Sequence, residues 1–149
     1  MVMPTFAPVS AQQLLKNFVY QETPSTISVN QAYALIQEKG AIVIDVRSKE
    51  EYEDEGHIEG AYLFPSDALE QALPELAVLK EKNTPVMVYC YSGQRSGLVM
   101  RELAKRGFKY VMLGASMNSW PYELTSEYPQ KSFKEAVAEL QPLPQYYQH

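Results

Sequence analysis

The residues best suited to chemistry lie together in one loop. The apolar run Pro85-Val86-Met87-Val88-Tyr89 ends in Cys90, the only cysteine of the chain. It continues through Tyr91-Ser92-Gly93-Gln94-Arg95-Ser96-Gly97 into an amphipathic stretch, Leu98 to Ala104, that Gly107 ends. A thiol at the end of a strand faces the N-terminus of the next helix, where unpaired backbone N–H groups and their partial positive charge stabilise a thiolate. Gly93 lets the loop curl. Successive N–H groups directed inward form a concave anion site, and Arg95 either adds charge to it or braces it from the far end. A cysteine that only fills a core needs none of these neighbours, so the ordered set of strand, cysteine, glycine, arginine and helix reads as a nucleophile in an anion cradle.

Such a loop has to be held by a framework, and the framework is visible on either side of it. Short apolar runs occur at Ala41 to Val46, Ala61 to Phe64, Pro85 to Cys90 and Tyr110 to Leu113. Runs that are apolar at nearly every position suit strands buried on both faces. Between them lie helical stretches, several opened by a Ser with Glu or Gln three residues on: Ser10 with Gln13, Ser28 with Gln31, Ser48 with Glu51 and Ser132 with Glu135. This spacing is that of the capping box, in which each side chain satisfies a free N–H of the other residue. Strands alternating with helices predict an α/β domain with a central, mostly parallel sheet of four to five strands and helices on both faces. In such sheets ligands sit beyond the carboxyl ends of the strands, which is where Cys90 falls.

The remaining composition mainly excludes. The chain has 149 residues, 46% of them hydrophobic, enough for one domain with its own core. One cysteine rules out an intramolecular disulfide framework. Two histidines, one of them the terminal His149, offer no ligand cluster, so neither a metal nor an organic cofactor is expected. A formal charge of -5 disfavours nucleic acid and anionic membranes as partners. No apolar run approaches the roughly 20 residues of a membrane span. The first residues, MVMPTFAPVSAQQLLKNFVY, lack the basic start and apolar block of a signal peptide. With a free thiol, this leads to an expected cytoplasmic location.

Three further segments extend the picture. Ile42-Val43-Ile44-Asp45-Val46-Arg47 places an Asp-x-Arg at the end of an apolar run, followed by Glu50, Glu51 and Tyr52. Gly56-His57-Ile58-Glu59-Gly60-Ala61 follows, and Tyr110-Val111-Met112-Leu113-Gly114 precedes Trp120. In this order and spacing, with the Cys90 loop, these segments resemble the single-domain rhodanese-like sulfurtransferase family from about Thr26 to Tyr122. The resemblance implies that Cys90 takes sulfane sulfur from a small anionic donor such as thiosulfate, or from a persulfide. As a persulfide it then passes that sulfur to cyanide or to a thiol or protein acceptor. It also implies Tyr91, Ser92, Gly93, Gln94, Arg95 and Ser96 as the substrate-binding loop, with Tyr91 at the pocket mouth. The sequence departs from the family where two adjacent glycines usually stand and this chain has Ala115 and Ser116. Side chains there either narrow the approach to the loop or leave Gly114 to make the turn.

Asp45, Arg47 and His57 are read as supporting residues. The first two suit a salt bridge or cap after a buried strand, and the resemblance makes His57 a fold-signature residue rather than a general base. Two other functions compete. Phosphatases and arsenate reductases of related folds place a longer stretch between Cys and Arg, whereas here only Tyr91, Ser92, Gly93 and Gln94 intervene. Non-catalytic interaction modules of the family usually lack the cysteine that this chain keeps. Residues 1–25 and 123–149 flank the 26–122 domain as extensions. Leu14, Leu15, Phe18 and Val19 form one apolar stripe, and Phe133, Ala136, Val137 and Leu140 form another near 132–140. Each either packs on the domain or serves a homodimer.

Overall fold

The computed structural model describes residues 11–22, 24–114 and 116–140. Five parallel strands form one sheet: β1 (Ser25–Thr26), β2 (Ile42–Asp45), β3 (Tyr62–Leu63), β4 (Val86–Tyr89) and β5 (Val111–Leu113). Their spatial order is β1-β5-β4-β2-β3. The helices are α1 (Ala11–Leu14), α2 (Val29–Gln37), α3 (Leu69–Glu81), α4 (Gln94–Lys105) and α5 (Phe133–Glu139). The four apolar runs are all strands. β1, two polar residues, is a strand only because β5 offers it an edge, with Ser25 opposite Met112.

Strand alternation divides the core. Ile42, Ile44, Val46, Val86, Val88 and Cys90 face one side, where they pack with Leu76 and Leu79 of α3, Val99 and Leu103 of α4, and Phe133 and Val137 of α5. On the other side, Met87 and Met112 meet Leu15, Phe18, Ala32 and Leu35, while Val43 and Tyr89 pack with Tyr52, Ile58 and Ala61. The described residues of both terminal stripes are therefore largely spent on this chain's own core. Phe133 and Val137 are buried, and so are Leu15 and Phe18, with Val19 turned outward. Complete burial of each such side chain stabilises by about 1.5–3 kcal/mol.

The capping signals have different outcomes. Ser28 and Gln31 make both halves of a box at α2. Ser132 accepts from the Glu135 N–H at the start of α5, but the Glu135 carboxylate meets the Ser132 hydroxyl instead of its backbone. Ser48 and Glu51 also bond reciprocally. Here the helix stops after a single π-turn, Glu51–Glu55, because Gly56 takes φ +89°. Ser10, and with it the box to Gln13, lies outside the described residues.

Candidate active site

The site is built where β2 and β4 end side by side, with Asp45 in register with Tyr89. The residue that follows β4 is Cys90, whose side chain packs on the α4 side of the sheet. Gly93 at φ +99° turns the chain into that helix, a left-handed conformation that costs a side chain about 1–2 kcal/mol. The turn brings donors onto the sulfur. The Gly93 N–H lies 3.0 Å from Cys90 Sγ, the Ser96 N–H 3.4 Å and the Ser96 hydroxyl 3.3 Å. Burial pushes the thiol up, but the hydroxyl of Ser96 and the N–H groups of Ser96, Gly93 and Ser92 outweigh it. The pKa ends below the ordinary cysteine value.

The loop is tied down on two sides. Met117 N–H donates to the Cys90 carbonyl and Asn118 N–H to that of Tyr91. From the β2 side, Glu51 receives both arms of the Arg95 guanidinium, at 2.6 and 2.9 Å. Of the two roles open to Arg95, bracing is the one observed: its charge is committed to a carboxylate. The guanidinium and the Ser48 hydroxyl and N–H hold the Glu51 carboxyl down to about 2, against burial. The sequence shows Glu51 as a capping partner of Ser48 and as part of the segment after Asp-x-Arg, not as a partner of Arg95. Its pairing with Arg95, distant by 44 positions, follows from the parallel register and leaves no trace in local spacing.

Asp45 and Arg47 form a second ion pair, buried completely. Arg47 donates to both carboxylate oxygens at 2.7–3.1 Å and to the Gly56 carbonyl at 2.6 Å. Its guanidinium carbon stands 5.8 Å from the centre of the Tyr89 ring. The Tyr89 hydroxyl accepts from the Ile58 N–H, and burial together with the Asp45 carboxylate pushes that phenol up. His57 is buried and stacks on Tyr52 at 3.5 Å. Its ring nitrogens lie 2.8 Å from the carbonyls of Tyr52 and Glu127, and its backbone bridges to Thr125. Asp45, Arg47 and His57 thus hold the β2 side of the framework, and their bonding partners lie outside the Cys90 loop.

Tyr91 is 53% exposed at the mouth, and Ser92 and Gln94 are also exposed. At the atypical position, Ala115 lies outside the described residues. The Ser116 hydroxyl is 3.7 Å from where a Cβ on Gly93 would stand, so it borders the cradle. Gly114 is needed for packing: a Cβ there would meet Met87 at 2.6 Å.

A parallel sheet that delivers a lone thiol into a ring of N–H donors defines an α/β domain of the cysteine-loop class. The family model for the rhodanese-like domain matches residues 28–122, and the chain belongs to that family. It is 40% identical over 85 residues to the thiosulfate sulfurtransferase GlpE of Coxiella burnetii (strain RSA 493 / Nine Mile phase I), covering 57% of this chain and 75% of the relative. Among solved structures, a rhodanese-like domain protein from Staphylococcus aureus is 27% identical with a TM-score of 0.60, covering 70% of this chain and 99% of that one. A protein of unknown function from Rhodopseudomonas palustris CGA009, described as a possible tyrosine phosphatase, shares the fold at 21% identity and a TM-score of 0.57, covering 80% of this chain and 94% of that one. Family and relatives together make the chain a rhodanese-type sulfurtransferase. No helix among the described residues is long and apolar enough to cross a membrane.

Proposed function

We propose that Cys90 carries sulfur as a persulfide between a small anionic donor and a thiol. In the first step the Cys90 thiolate attacks the outer sulfur of thiosulfate; the Sγ–S bond forms, the donor's S–S bond breaks, and sulfite leaves with the electron pair. In the second step an acceptor nucleophile, cyanide or a thiolate, attacks the outer sulfur and releases the Cys90 thiolate. Both steps are thiolate displacements at sulfur, which need an ionised nucleophile and a stabilised leaving group.

One observation carries this reading: the Sγ atom accepts from Gly93 N–H, Ser96 N–H and Ser96 Oγ within 3.4 Å. The same donors stabilise the Cys90 thiolate as leaving group in the second step. With a single cysteine in the chain, the persulfide has no internal thiol to resolve it, and the sulfur leaves to another molecule.

Oxyanion hydrolysis, the reading that the Rhodopseudomonas description raises, fits the loop less well. Only Tyr91, Ser92, Gly93 and Gln94 separate Cys90 from Arg95, and the Arg95 guanidinium is turned to Glu51 rather than toward the sulfur. Intact-protein mass spectrometry after thiosulfate tests the proposal. A gain of one sulfur, lost in Cys90→Ser, is the expected result; an unchanged mass together with Cys90-dependent aryl-phosphate hydrolysis overturns it.

A further inference from the structure

Among the described residues five large apolar side chains are exposed, and two of them lie in the loop and on the helix that follow Cys90. Tyr91 is 53% exposed within the loop, and Leu98 is 58% exposed one turn into α4. Neither serves a small inorganic anion, which is recognised by charge and N–H donors and gains nothing from an aromatic ring and an isobutyl group in water. Exposed apolar side chains beside a reactive centre supply contact area for a macromolecule.

The charges around them are equally uneven. Gln94, Leu98, Arg101 and Lys105 recur at helical spacing and are all exposed. The stretch Gln94 to Lys109 holds five basic residues and one acidic residue, on a chain of formal charge -5. Some of that charge is balanced: Lys105 pairs with Glu102, and Arg106 with Glu70. Arg95 is held by Glu51. Arg101 has no carboxylate partner among the described residues. Its side chain folds back toward the start of α4, with Nη1 3.5 Å from where a Cβ on Gly97 would stand. A guanidinium without a carboxylate partner among the described residues thus lies over the first turn of α4, the turn that carries the Ser96 N–H to the sulfur. The cation available to an incoming molecule is therefore Arg101 rather than Arg95.

We propose that Leu98 and Arg101 on the outer face of α4, extended into the loop by Tyr91, form the docking surface for a protein thiol acceptor that carries acidic residues around its reactive cysteine. The occupant follows from complementarity. The rest of this acidic molecule repels such a partner, while the basic strip on α4 attracts it and orients it onto the loop. The inference rests on the persulfide reading. In the docked complex the partner's thiolate attacks the outer sulfur of the Cys90 persulfide, the new S–S bond forms on the partner, and the Sγ–S bond breaks to return the Cys90 thiolate.

The test uses the full chain loaded with thiosulfate, its persulfide verified by intact mass. Sulfur transfer is then timed to two cysteine peptides of equal length, with Glu or Lys at the same positions and Leu beside the cysteine, and to dithiothreitol as a neutral reference. At low salt the acidic peptide should react about ten-fold faster than the basic one, and the gap should close within about two-fold at roughly 0.5 M salt. Arg101→Glu should reverse the preference. Leu98→Gln should slow both peptides relative to dithiothreitol. Equal peptide rates on a verified persulfide, or an unchanged preference in Arg101→Glu, overturn the docking surface alone. Failure of the persulfide to form overturns the sulfur-carrier reading and this inference with it.

Discussion

The segments that follow β2 and β4 begin at the same level of the sheet, in register and one strand apart, and they do opposite things with their polar groups. After β2 the buried polar groups are consumed internally: the Asp45 carboxylate is saturated by Arg47, Arg47 continues to the Gly56 carbonyl, and the His57 ring meets two further carbonyls. After β4 the donors converge on one sulfur atom and the side chains of Tyr91, Ser92 and Gln94 turn to solvent. Position at the carboxyl end of a parallel strand is therefore not what makes a segment reactive. The segment proposed to react is the one whose N–H groups converge on a sulfur atom, and its neighbour is tied internally so that it can hold it. Glu51 with Arg95 is the rivet between them.

This contrast can be broken most severely at Cys90. Cys90→Ser should eliminate sulfur transfer while leaving the melting temperature within a few degrees of the parent, because the hydroxyl keeps the hydrogen bonds and the side chain is small. Asp45→Ala should do the reverse. It strands a buried guanidinium and should cost about 3–5 kcal/mol in urea unfolding; a loss below about 1 kcal/mol would show that the β2 segment is not the rigid partner described above.

Removing the rivet tests the link itself. Arg95→Ala should lower turnover with thiosulfate about ten-fold through a loosened loop and cost roughly 1 kcal/mol, since the pair is partly exposed. Unchanged turnover would place the rivet outside the mechanism. The pair also has a pH signature. The folded Glu51 pKa, about 2, lies below its ordinary value of 4.5, so its stabilisation is complete above that ordinary value and disappears as pH falls through the folded one. The stability gap between the parent and Glu51→Gln should accordingly shrink between about pH 5 and pH 2.

The smallest expected effect concerns the donors on the sulfur. The pH midpoint of Cys90 alkylation by iodoacetamide should fall below that of an ordinary cysteine, and Ser96→Ala should raise it by withdrawing one donor. A midpoint indifferent to Ser96 would leave the backbone N–H groups as sole cause.

What the sequence made legible follows the same division. Val86 to Tyr89, the cysteine, Gly93 and the start of α4 are contiguous, and each local signal agrees with its neighbour, so the cradle could be read residue by residue. The β2 side depends on partners far along the chain. Glu51 finds Arg95 and His57 finds Glu127, 44 and 70 positions away, and no spacing rule encodes such pairings. β1 is hidden for a related reason, because Ser25 and Thr26 have no apolar pattern and owe their extended form to β5. The apolar stripe of α5 was visible, but its destination against α3 depends on the folded layers.

The clasp between His57 and the carbonyl of Glu127 also sets a timetable. During synthesis at about 5–20 residues per second, the histidine is added to the chain roughly 4–14 s before Glu127 is. For that interval the π-turn and His57 wait without the Thr125 backbone that bridges to His57. β1 likewise waits for β5 across more than half the chain. The β2 side is thus completed only after the cysteine loop has been made, and a nascent chain stalled before residue 127 would carry its cysteine on a framework that has not yet locked.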